Sequence, residues 1–96
     1  MYGTVAKFRV KSGNAQQLVD HMEKENREIP GAIENFIYQL DEDTSVLYLV
    51  VMFADKKAYV DYAESAISNE RYQKMLPFIE GEPEWHDGEV VYHHQF

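Results

Sequence analysis

Residues 32–53, AIENFIYQLDEDTSVLYLVVMF, decide how this chain folds. Two runs rich in apolar, aromatic and β-branched residues, 32–40 and 45–53, each predict a strand. Between them the acidic Asp41-Glu42-Asp43-Thr44 predicts a hairpin loop. The second run, VLYLVVMF, is apolar on both faces. Such a strand lies inside a sheet and is covered on both sides. Helices can supply one cover, but the other has to come from elsewhere.

Upstream, YGTVAKFRVK at 2–11 alternates. Tyr2, Thr4, Ala6, Phe8 and Val10 point one way, and Lys7, Arg9 and Lys11 the other, as in a half-buried strand. Ser12-Gly13 ends it. Asn14 and Gln17 then fit the reciprocal capping box of a helix start. Ala15, Leu18, Val19, Met22 and Ile29 follow at helical spacing, with Asp20, Glu23, Lys24 and Arg27 outside. Pro30-Gly31 is expected to stop that helix.

Downstream, Asp55 is placed to cap a helix whose buried stripe is Ala58, Tyr59, Tyr62 and Ala63. A break near Ser65–Ser68 precedes a second helical piece with Tyr72, Met75, Leu76 and Ile79 on its stripe, thinned by Pro77. Gly81-Glu82-Pro83 reads as a loop, and Trp85 to His94 as a final strand interrupted at Asp87-Gly88.

The order β-α-β-β-α-β is the ferredoxin-like arrangement, an α+β fold with a four-stranded antiparallel sheet. With both helices on one face, the other face is bare in a single copy. It exposes Tyr48, Val50 and Met52, and an apolar patch of that kind marks an association site. A homodimer is expected, with two sheets packed face to face into a dimeric α/β barrel. The 96 residues are read as one domain, small enough to gain from a partner subunit.

Composition narrows the functions. A formal charge of −8 repels a phosphate backbone, so nucleic acid is not an expected partner. No basic run suggests a membrane surface, and the apolar stretch Leu47 to Ala54 is too short to span a bilayer. The opening MYGTVAKFRV reads as a strand, not as a signal peptide. With no cysteine there is no disulfide or thiolate chemistry, consistent with a soluble cytoplasmic protein.

VAKFRVKSGN, EIPGAI, LYLVVMFADKKAY and SNERYQKMLPFIEGEPE together resemble the antibiotic-biosynthesis-monooxygenase family of the dimeric α/β-barrel group. The resemblance runs over nearly the whole chain and specifies fold better than reaction. It implies an aromatic-lined cavity between sheet and helices in each subunit. It also implies oxidation of phenolic, anthrone or quinol compounds by molecular oxygen without bound metal or flavin. A haem-degrading branch resembles the chain in outline. That branch uses an Asn on the first strand, a Trp ending the third and a His in the second helix region. The matching positions are Ala6, Phe53 and the neighbourhood of Tyr72, so haem degradation is not expected.

Candidate residues follow from position and chemistry. His93 and His94 are adjacent, hence on opposite faces of a strand, and cannot easily chelate one metal. No metal site is expected. Trp85 and His86, near a strand bulge, could line a pocket mouth but better suit a dimer contact, and His21 sits at the edge of the first helix's stripe. Tyr59, Tyr62 and Tyr72 lie on helix stripes, where each ring packs and each hydroxyl needs a partner. Core packing explains any one of them; the three together suit a pocket with Phe53. Asn26 is the polar residue on the first helix's stripe, and Asn35 is ambiguous in face. The pocket pool is therefore His21, Asn26, Phe53, Tyr59, Tyr62 and Tyr72. Two functions fit it: a cofactor-independent monooxygenase acting on a small aromatic, phenolic or quinol-like compound, or a non-catalytic ligand-binding or stress-related dimer.

Overall fold

The computed structural model describes residues 1–11 and 15–96. The expected turn at Ser12-Gly13 and the cap at Asn14 lie outside the described residues. Strands β1 (Tyr2–Val10), β2 (Ala32–Gln39), β3 (Val46–Phe53) and β4 (Ile79–Glu89) form one sheet in the order β2-β3-β1-β4. The described pairings β1–β3, β1–β4 and β2–β3 are all antiparallel. Helices α1 (Ala15–Lys24), α2 (Lys56–Ala63) and α3 (Ala66–Met75), with a short 3-10 turn at Leu76–Phe78, complete the α+β ferredoxin-like fold.

Alternation sets the two faces. Ala6, Phe8 and Val10 of β1 and Leu47 and Leu49 of β3 point to the helices. There they meet Leu18, Met75 and Ile79 in a continuous buried core. Tyr48, Val50 and Met52 occupy the opposite face, as their parity requires. Cross-strand pairing adds Phe36 and Tyr38 of β2 and Val5 of β1 to that face. Phe36 and Tyr38 remain about half exposed, at 51% and 57%.

Helix α2 begins where Asp55 accepts from the Ala58 amide at 2.8 Å, as expected. Ser65 closes the gap to α3 twice over: its side chain accepts from the Ser68 amide at 3.1 Å and donates to Tyr62 O at 2.6 Å.

Three expectations need correction. Helix α1 ends at Lys24, so Asn26 and Ile29 are not on its stripe, and Asn26 is exposed. Between Met22 and Ile29 every residue is polar or charged, so those turns have no apolar face to bury. Gly81-Glu82-Pro83 is not a loop but belongs to β4, which Ile79 opens instead of extending α3. The pairing jumps from Lys7↔Glu84 to Arg9↔Glu80, so the extra residues form a bulge. Gly81 takes φ +70 there, and Pro83 sits on an edge strand where a missing amide is tolerated. The last strand ends at Glu89, not His94, and Asp87-Gly88 does not interrupt it. Both stay in register, opposite Thr4 and Gly3.

Candidate functional site

The helix-facing side of the sheet changes character along its strands. At one end it is the packed aliphatic core. At the other, Thr4, Val51 and Phe53 form the floor of a cavity of about 300 Å³. Helices α2 and α3 roof it with Tyr59, Tyr62, Arg71 and Tyr72, while His21 and Met22 of α1 and Trp85 of β4 close its sides. The volume stands at the lower end of small-molecule sites, which run roughly 300–1,000 Å³.

Aromatic rings define its shape. Phe53, fully buried, is the hub: Tyr62 stacks on it at 5.5 Å and Tyr59 meets it edge-on at 5.7 Å. Tyr72 and Trp85 approach at 6.1 Å across the other wall. These are separations at which ring pairs attract.

The polar groups are few and differ in state. Tyr59 donates its hydroxyl to Asp87 Oδ1 at 2.8 Å. Burial pushes its pKa up to about 12, the Asp87 carboxylate adds to that shift, and the nearby Thr4 hydroxyl opposes it. The phenol is therefore held protonated. It serves as an anchor for Asp87, not as a base. Tyr62 Oη accepts from Arg71 Nη1 at 3.3 Å. Thr4 is 3% exposed, and its Oγ1, beside the Tyr59 hydroxyl, has no well-formed hydrogen bond. A buried hydroxyl without one is unusual and asks for an explanation. Among the described residues no cluster of three or more His, Asp or Glu side chains is arranged to hold a metal ion.

His21, Asn26, Phe53, Tyr59, Tyr62 and Tyr72 all line this one cavity. Asn26 does so from an exposed turn after α1, not from a buried helix face. His21 packs on Phe78 at 5.3 Å, a boundary position. Asn35 faces the helices, since it pairs with Val51, and it also lines the cavity. His86 lies opposite Val5, on the face without helices, near Glu84 at 3.6 Å.

Sequence reading missed Thr4 and Arg71. Thr4 left a signal, as the one small polar residue in the inward row of β1. Trp85, for which the sequence favours a dimer contact over a pocket mouth, lines the cavity. Nothing in the periodicity of α3 marks Arg71, whose role depends on how α3 packs against α2.

A ferredoxin-like sheet with an aromatic cavity under its helices defines a class of small α+β domains built around a ligand-sized space. The sequence profile of the family described as antibiotic biosynthesis monooxygenase matches residues 1–75, and the chain belongs to that family. No curated protein matches it significantly. Among solved structures, a protein of Chloroflexus aurantiacus J-10-fl superposes with TM-score 0.78 at 17% identity, covering 98% of this chain and 96% of that one. One of Nitrosomonas europaea gives 0.77 at 16% identity, over 96% and 100%. Both are provisionally described as antibiotic biosynthesis monooxygenases. A conserved protein of Methanosarcina mazei Go1 gives 0.72 at 22% identity, over 88% and 87%. At these identities the similarity is one of fold.

Proposed function

We propose that the chain is a cofactor-independent monooxygenase acting on a small aromatic, phenolic or quinol-like compound, and that it works as one domain in a homodimer. The observation that carries this reading is the cavity itself. Tyr59 and Tyr62 pack on Phe53, and Tyr72 pairs with Trp85, around a space that close packing would otherwise have filled. An electron-rich aromatic, once deprotonated, supplies the electrons that reduce oxygen. One oxygen atom enters the ring compound, and the other leaves as water with hydrogens drawn from the substrate. The protein's part is to bind, to exclude water and to stabilise the anion with aimed donors. Family membership supports the reaction class. The homodimer is supported by the face without helices, where Phe36 and Tyr38 are about half exposed and Tyr48, Val50 and Met52 are partly exposed.

Oxygen consumption with a panel of hydroquinones and anthrones tests the reading. Uptake should exceed the uncatalysed background, and Tyr62→Phe and Tyr72→Phe should each lower turnover by roughly tenfold to a thousandfold if their hydroxyls orient the anion. Uptake untouched by both variants keeps the enzyme and discards these tyrosines. One observation favours the alternative, a non-catalytic binding or stress-related dimer: Tyr59, the most buried phenol of the cavity, is committed to Asp87 and held protonated. No uptake with any compound of the panel would select that reading.

A further inference from the structure

Arg71 brings a positive charge to the cavity wall and pairs with none of the carboxylates there. It is half-buried, and among the described residues its one side-chain hydrogen bond is the 3.3 Å contact to the Tyr62 hydroxyl and it makes no ion pair. Glu25, which lines the same cavity, is engaged by Lys74 at 3.4 Å and Arg27 at 3.7 Å. Glu34 is exposed on β2. A guanidinium matches the planar geometry of an oxyanion, and its hydrogen bonds to one are about twice as strong as those between neutral groups. Thr4 lines the cavity from the sheet side, but its hydroxyl is shielded there beside the Tyr59 phenol. A cation without an anionic partner thus faces a space walled by aromatic rings.

We propose that the cavity binds an aromatic compound as its anion, the acidic oxygen held by Arg71. This rests on the small-aromatic reading above and deepens it by fixing the charge of the ligand and the residue that recognises it. The overall charge of −8 works against any anion at long range. A preference for the anion therefore reports the local guanidinium and not the field of the whole molecule.

Trp85 is the chain's single tryptophan and lines the cavity, so its fluorescence reports occupancy directly. The probes are hydroxynaphthoquinone, which is ionised at neutral pH, and its neutral methyl ether on the same rings. The wild type should bind the anion roughly tenfold to a hundredfold more tightly than the ether, the range of a hydrogen bond to a charged group. Arg71→Met should abolish that preference. Arg71→Lys, which keeps the charge but loses the fork, should retain part of it.

Equal binding of the two probes, binding of neither, or an intact preference in Arg71→Met would each overturn the proposal. Failure here is separable from failure of the oxygenase reading. Arg71-dependent anion binding with no oxygen uptake would remove only the latter. Oxygen uptake on neutral quinols, indifferent to Arg71, would remove only the former.

Discussion

Replacing Thr4 by Val should make the ligand-free protein more stable, against the usual direction for a core substitution. Thr4 Oγ1 is shielded from solvent and has no well-formed hydrogen bond, while the residue as a whole is 3% exposed. An unsatisfied buried hydroxyl costs about 1–3 kcal/mol. The low end applies, because one side of Thr4 faces a cavity instead of packed apolar atoms. Valine keeps the shape, the β-branching and the strand preference, so little else changes. A gain of about 1 kcal/mol corresponds to a rise in Tm of roughly 4–8 °C for a domain of this size. Thr4→Ser is the control: it keeps the hydroxyl, loses one buried methyl and should be less stable than wild type by about 1 kcal/mol. Thermal unfolding followed by circular dichroism, without ligand, reads both. A Thr4→Val protein no more stable than wild type would show that the hydroxyl is satisfied by the Tyr59 phenol beside it.

Three further outcomes are expected. Val50→Asp should dissociate the proposed dimer, since an uncompensated buried charge costs about 3–5 kcal/mol; sedimentation equilibrium at micromolar protein checks this, and a wild type that is monomeric there removes the dimer. Gly31→Ala should destabilise by about 1–3 kcal/mol, because Gly31 holds φ +80 and an added Cβ would lie 2.6 Å from Ala58 Cβ; urea unfolding gives the value. Asp43 should titrate at about 2, held down first by the Ser45 hydroxyl, then by Arg9 and the Ser45 amide; its contribution to stability is present above its ordinary value of 3.8 and is lost as pH falls through about 2, which an NMR titration of wild type and Asp43→Asn would follow.

Fold was legible where burial dictated pattern. The inward row of β1 and the doubly apolar β3 could be read directly, because one slip in parity would have put charges into the core. The end of α1 was not, since Asn26 and Ile29 fit helical spacing although nothing holds those turns against the sheet. The course of β4 was obscured by Gly81 and Pro83, which signal a turn in most contexts but here make a bulge on an edge strand. Of the candidate site, the rings could be found because an aromatic stripe on a helix is a local pattern. Arg71 could not. Its meaning comes from which carboxylates it fails to meet, and that depends on the packing of α3 against α2 and on Lys74 and Arg27 occupying Glu25.

The same sheet face carries two jobs, divided along the strands. At one end Ala6, Phe8, Val10, Leu47 and Leu49 close on Leu18 and Met75, leaving no space. At the other, two residues further along each strand, Thr4, Val51 and Phe53 meet rings that stand apart around a cavity. This division explains why helix α2 can be short and yet well placed. Asp55 fixes its start, and Ser65 ties its last turn to α3. Phe53 then supports Tyr59 and Tyr62 from below, so the roof is positioned by a single buried ring. Truncating Leu18 should therefore lower stability, by about 2–5 kcal/mol, with ligand recognition in the surviving fold unchanged. Truncating Phe53 should disturb both, because it is at once part of the packed interior and the surface on which the cavity's tyrosines rest.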